Sequence, residues 1–150
     1  MIVYLKGGDE LEIEDDSSAY DVACKIGIQK QVVAAKINET TTDVTTKLNN
    51  KDTVTLLTYQ DVEGVEVLRH STAHVMAKAI IDCIDNDAKL AIGPSMENGF
   101  YYDMMLSRTL TTEDLPKIEA KMREIIKQDM AFEKSSMPKS EAVEYFKSRG

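Results

Sequence analysis

The chain has no tryptophan, only three phenylalanines, and just two cysteines and two histidines in 150 residues. Cys24 and Cys83 are far apart and form neither a disulfide framework nor a Cys-x-x-Cys zinc knuckle, so a reducing, cytoplasmic setting is expected. Long apolar runs are missing as well. None approaches the roughly 18 to 20 residues that span a bilayer. The opening "MIVYLKGGDE" lacks a basic segment followed by an apolar one, so no signal peptide is expected. Positive charge is the scarcer sign: 18 lysines and arginines stand against 26 acids, a net charge of −8. Through Gln60 there are six basic and ten acidic residues, and beyond it twelve and sixteen, so each part carries −4. Neither part is a basic module, and tight binding to a phosphate backbone by these residues alone is disfavoured. A nucleic-acid role would be local, or assisted by another part of a larger protein.

What is present suits a globular chain: 43% apolar and 29% charged residues leave enough of each for a core and a solvated surface. "IVYLK" at residues 2–6, the turn signal "GGDE" and the alternating "LEIE" predict an N-terminal hairpin. Ser17 or Ser18 can cap a short helix carrying Ala19, Val22, Ala23 and Ile26 at helical spacing, with Gly27 at its stop. Residues 32–38, "VVAAKIN", read as a strand, "ETTTDVTTKLNNKD" as a polar loop, and residues 53–59, "TVTLLTY", as a last strand. The order β-β-α-β-loop-β in residues 1–61 fits a small mixed sheet on one helix, in the manner of a ubiquitin-like β-grasp.

"DVEG", residues 61–64, reads as a junction before a long helix from Val65 to about Ile84. "LAIGPSMENGFYYDMML" predicts two strands around a turn. A second long helix follows, with Thr112 as its cap, Pro116 early enough to be tolerated, and Leu115, Ile118, Met122, Ile125, Ile126 and Met130 as its apolar face. "KSEAVEYFKSRG" predicts a terminal helix with Gly150 at its stop. Residues 62–150 therefore read as a small α+β region, or as part of a larger one.

His70 and His74 sit four residues apart in "LRHSTAHVMAKAI", so both point the same way from a helix. On a helical wheel Val65, Leu68, Val75, Met76, Ala79 and Cys83 cluster as the core stripe. The histidines fall away from it, among Ala73, Ala77, Ser71 and Lys78. They are then either ordinary surface histidines or the wall of a cleft. A zinc-protease helix would read H-E-x-x-H, and Ser71 removes that reading. A zinc site needs three or four protein ligands, which these residues do not complete. Imidazole is also the natural acid/base group near neutral pH, and two of them suit polarising a water that attacks an ester. In "AIGPSMENGFYYD", strand alternation sends Tyr101 to the face opposite Phe100 and Tyr102, so one face can be core and the other can line a site.

"EVLRHSTAHVMAKAI" followed by "KLAIGPSMENGFYYDM" resembles the editing domain of threonyl-tRNA synthetases. "TTEDLPKIEAKMREIIK" and "EAVEYFKSRG" are similar to the segments that follow in that family, and residues 1–61 resemble the TGS module, a β-grasp domain that precedes the editing domain. The resemblance implies an α+β chain whose parent protein charges threonine tRNA using ATP and hydrolyses serine wrongly esterified to that tRNA. It implies editing roles for His70 and His74, which match the H-x-x-x-H motif, and a pocket including Tyr101, Gly93 and Gly99. The family completes that pocket with a C-x-x-x-H segment, and after Asn86 this chain has neither cysteine nor histidine.

An N-terminal fragment is therefore expected, one that does not aminoacylate and does not edit alone. No cofactor is expected in it, because ATP and zinc belong to the family's catalytic domain. The acceptor end of threonine tRNA is the implied partner of the parent. The parent is expected to be a homodimer and the fragment a monomer. The competing expectations are a non-catalytic, TGS-containing binding module, and a zinc protein using His70 and His74.

Overall fold

The computed structural model describes residues 1–132 and 135–148. The chain is α+β, as expected, and divides into two compact units. One comprises Met1–Ser71 with Ser95–Phe100, the other the described residues of Thr72–Pro94 and Tyr101–Gly150.

The first unit is built on a five-stranded mixed sheet. β1 (Ile2–Leu5) pairs antiparallel with β2 (Glu10–Glu12), with Val3 opposite Leu11. Between them Gly7 and Gly8 take φ of 113° and 94°, a left-handed backbone that glycine adopts without strain. β3 (Val32–Ile37) continues into β4 (Thr40–Thr42), and β5 (Thr53–Thr58) runs parallel to β1 and antiparallel to β3. The strand order is β2-β1-β5-β3-β4. Alternate residues Val3, Ala35 and Val54 reach one face of this sheet and meet Ala19 and Val22 of α1 (Ala19–Ile26), with Ile13 and Leu48 closing the core. This is the ubiquitin-like β-grasp arrangement.

Of the two serines offered as caps, Ser18 caps α1. Its hydroxyl oxygen accepts from the Asp21 N–H at 3.3 Å, and the Asp21 carboxylate accepts from the Ser18 N–H at 2.7 Å. That backbone N–H, with the Ser18 hydroxyl, holds the Asp21 carboxyl below its ordinary range. Gly27 ends the helix at φ 81°.

Two sequence expectations change here. The polar loop contains β4, joined to β3 by the two-residue turn Asn38–Glu39, both in the left-handed region at φ 48° and 67°. α2 (Val62–Cys83) starts inside "DVEG", three residues before the expected Val65. The Asp61 carboxylate accepts from the Thr58 N–H and hydroxyl, each at 2.7 Å, and the Asp61 carbonyl accepts from the Val65 N–H. At Gly64 a Cβ would come within 1.9 Å of the Thr58 carbonyl oxygen, so only glycine lets α2 begin this close to β5. Glu63 pairs with Lys36 of β3 at 2.6 Å.

In the second unit, Ala79 and Ile80 of α2 pack with Ile118 and Ile125 of α3 (Leu115–Lys127). Leu115, Ile126 and Met130, expected on the apolar face of α3, are exposed instead, so the buried stripe is narrower than the pattern suggested. Thr112 does not cap α3. The cap position is Asp114, 3% exposed, whose carboxylate takes two bonds from Arg108 at 2.7 and 2.8 Å and one from the Thr111 N–H at 2.9 Å. The Arg108 guanidinium, then the Thr111 N–H, holds this carboxyl well below the usual carboxylate range. Pro116 lies in the first turn, where no backbone N–H is needed.

The two predicted strands are four short ones. β6 (Lys89–Leu90) pairs with β9 (Met104–Met105) in the second unit, and β7 (Ser95–Met96) with β8 (Gly99–Phe100) in the first. α4 spans Lys139–Lys147, and the expected stop at Gly150 lies outside the described residues. Among the described residues no helix is long and apolar enough to cross a membrane.

Candidate functional site

α2 carries both histidines, one turn apart and both exposed. Besides Gly64, the buried residues of the helix are Ala73, Ala77, Ala79 and Ile80. The stripe is therefore turned from the one drawn by hydropathy: Leu68 is 44% exposed, Cys83 is exposed, and Val65, Val75 and Met76 are half-buried. Alanine explains the shift. It carries little hydropathy in a pattern, yet its small side chain permits the closest helix packing. Ala73 and Ala77, expected beside the histidines on an open face, are in fact covered, and the histidines border that buried seam.

In the second unit His74 meets an aromatic partner. Its ring lies edge-on to Tyr102, with centroids 5.7 Å apart and planes at 77°. Tyr102 in turn lies over Gly93, where a Cβ would be 2.3 Å from the ring carbon Cδ2. Tyr101 faces away at 42% exposure while Tyr102 is half-buried, the alternation expected of an extended segment. On another side of His74 lies a cavity of about 390 Å³, lined by Val75, Ile125, Ile126, Met130 and Phe132 with Lys78 and Asp129 as its charged members. Lys78 is paired with Asp82.

In the first unit Arg69, the residue before His70, reaches the turn between β7 and β8. One terminal guanidinium nitrogen donates to the Met96 carbonyl at 2.9 Å and to the Glu97 carbonyl at 2.6 Å. Gly99, at the far end of this turn, has open space where a Cβ would stand.

Of the sequence-derived site residues, His74 and Gly93 both lie beside Tyr102, and Tyr101 adjoins that residue in the chain. His70 and Gly99 belong to the Arg69 end of α2 and its hairpin. Sequence reasoning missed Tyr102 and Arg69. The strand period places Tyr102 on a face with Phe100, but nothing in the pattern pairs it with His74. Among the described residues no group of three or more His, Cys, Asp or Glu side chains stands ready for a metal ion.

Residues 1–58 match the family model described as the TGS domain. Over 150 residues, 99% of this chain, it is 43% identical to a protein named threonine–tRNA ligase from Clostridioides difficile (strain 630), covering 23% of that protein. It is 39% identical over 152 residues to the threonine–tRNA ligase of Janthinobacterium sp. (strain Marseille), covering 24% of it. For that of Hahella chejuensis (strain KCTC 2396) the identity is 40% over 151 residues, again 24% of the protein. The chain thus spans about a quarter of the length of the curated relatives it matches.

Proposed function

We propose that this chain, a TGS domain at residues 1–58 followed by a segment that stays similar to threonine–tRNA ligases to its end, is the TGS and partial editing region of such an enzyme. The parent protein charges threonine tRNA and clears serine wrongly attached to it. The observation that carries this reading is the exposed pair His70 and His74, one turn apart on α2 within the stretch shared with the ligases.

The chemistry follows from the substrates. Serine lacks one methyl group of threonine, and a pocket gains only about 1–3 kcal/mol of discrimination from such a difference. A second, hydrolytic site then removes the error. Ester hydrolysis needs a water polarised by a base and a leaving hydroxyl given a proton. Imidazole serves both near neutral pH. His70 and His74 take these roles, and the likeness to the ligases extends the assignment to Tyr101, Gly93 and Gly99. Aminoacylation, with ATP and zinc, belongs to the remainder of the parent protein, as does its dimer contact. The net charge of −8 supports a division in which most contacts to the tRNA phosphates lie elsewhere.

The test is hydrolysis of seryl-tRNA by the full protein that the gene encodes. His70→Ala and His74→Ala should each lower the rate at least about a hundredfold, the usual scale of a lost acid/base group. Threonine charging should stay at the parent rate. Deacylation at the parent rate in both variants would overturn the assignment.

A further inference from the structure

We infer that Arg69 is a positioning residue: it fixes the Ser95–Phe100 hairpin against the turn of α2 that bears His70. The inference rests on the editing reading above and adds a residue to it. β7 and β8 have two residues each, and a ribbon that short does not hold itself in water. Its turn gives little help. A two-residue hairpin loop favours a turn with left-handed residues, because that twist matches the strands. None of Glu97, Asn98 and Gly99 occupies the left-handed region.

Arg69 provides what the turn lacks. Its guanidinium nitrogen bridges two successive carbonyls, those of Met96 and Glu97, at 2.9 and 2.6 Å. Bonds from an ionised donor are stronger than neutral ones, and the planar fork of arginine loses less freedom in making them than a lysine stem would. The donor comes from α2, a helix of 22 residues whose start is packed on β5 at Gly64. Arg69 thus ties the weakest ribbon of the first unit to its longest helix, one residue before His70.

Gly99 shows what the tie presents. Its backbone is not left-handed and no atom lies within 4 Å of where a Cβ would be, so neither the turn nor the packing calls for glycine. What remains is bare backbone, held in place by Arg69 and open to a ligand.

Residue-resolved amide hydrogen exchange on this chain tests the tie. In Arg69→Ala the amides of residues 95–100 should exchange about tenfold faster or more, while those of β1, β3 and β5 stay unchanged. Arg69→Lys should recover part of the protection, since its ammonium can still donate to one of the carbonyls. Unchanged exchange in the hairpin overturns the proposal. So does a uniform rise through the whole first unit, which would mark Arg69 as a general stabiliser.

In the full protein, Arg69→Ala should lower kcat for seryl-tRNA hydrolysis and leave threonine charging intact. A parent deacylation rate in Arg69→Ala, where His70→Ala has abolished it, overturns the positioning role. If His70→Ala itself leaves deacylation intact, the editing reading fails, and the exchange measurement still decides whether Arg69 holds the hairpin.

Discussion

Gly93 and Gly99 lie six residues apart and answer to opposite constraints. Gly93 is buried, and a methyl group there would be driven into the Tyr102 ring, which also touches His74. Gly93→Ala should therefore push the ring aside, lower stability by about 1–3 kcal/mol as overpacking does, and shift the NMR signal of the His74 ring. Gly99→Ala should be close to neutral for stability. Thermal unfolding and the His74 ring signal check both, and an unperturbed His74 in Gly93→Ala would show that Tyr102 does not fix that ring. The exposure of the two histidines was legible in the sequence, although the buried stripe beside them, Ala73, Ala77, Ala79 and Ile80, is not the one that hydropathy draws. The Tyr102 contact was not. It depends on a glycine nine residues away making room for a ring, and no periodicity encodes that.

At the scale of the element, turns read least reliably. "ENG" before "FYYD" is the strongest hairpin signal in the chain, yet Asn98 and Gly99 stay out of the left-handed region and an arginine holds the turn. The turn that does use two left-handed residues is Asn38–Glu39, which carries no glycine and hides β4 in a polar stretch. Asn38 is suited to it. Its side chain donates to Asp52 at 2.7 Å and accepts from the Thr53 N–H at 2.9 Å. Glu39 is not, because an L-residue in that region is strained by about 1 kcal/mol or more. Glu39→Gly should raise the stability of the β-grasp sheet by about 0.5–1 kcal/mol, the strain relieved less the entropy that glycine loses. A urea midpoint that falls or stays put would contradict this. The helices were read more closely. Ser18 and Gly27 bound α1 as their chemistry predicts, while Thr112 lost the cap of α3 to Asp114, whose partner Arg108 lies outside any local capping pattern.

The whole molecule has two cores of unequal quality, and this decides how it should come apart. The β-grasp core joins residues from three strands, α1 and two loops, and Val3, Val22 and Val54 are essentially sealed from water. Among the described residues the second core has four buried ones, and Leu115, Ile126, Met130, Phe132 and Phe146 remain exposed in that unit. It also relies on a buried charge. Asp114 is 3% exposed and ionised against Arg108, with its carboxyl held well below the usual range. A carboxyl depressed in the folded state stabilises fully above its unfolded value, about 3.9, and that contribution is lost as pH falls through and below it. In the first unit Asp21 and Asp61 are lowered too, by the Ser18 and Thr58 N–H groups, but both are exposed and water screens what they contribute. Acid should therefore open the second unit first. On lowering the pH from about 5 towards about 2, amide protection around Ile118 and Ile125 should disappear before that of Val3 and Val54. Asp114→Asn should flatten this acid dependence and weaken the second unit at neutral pH, because Arg108 then loses its ionised partner. Simultaneous loss of protection in both cores, in the parent chain and in Asp114→Asn alike, would show that the two units unfold as one and that this carboxylate does not set the order.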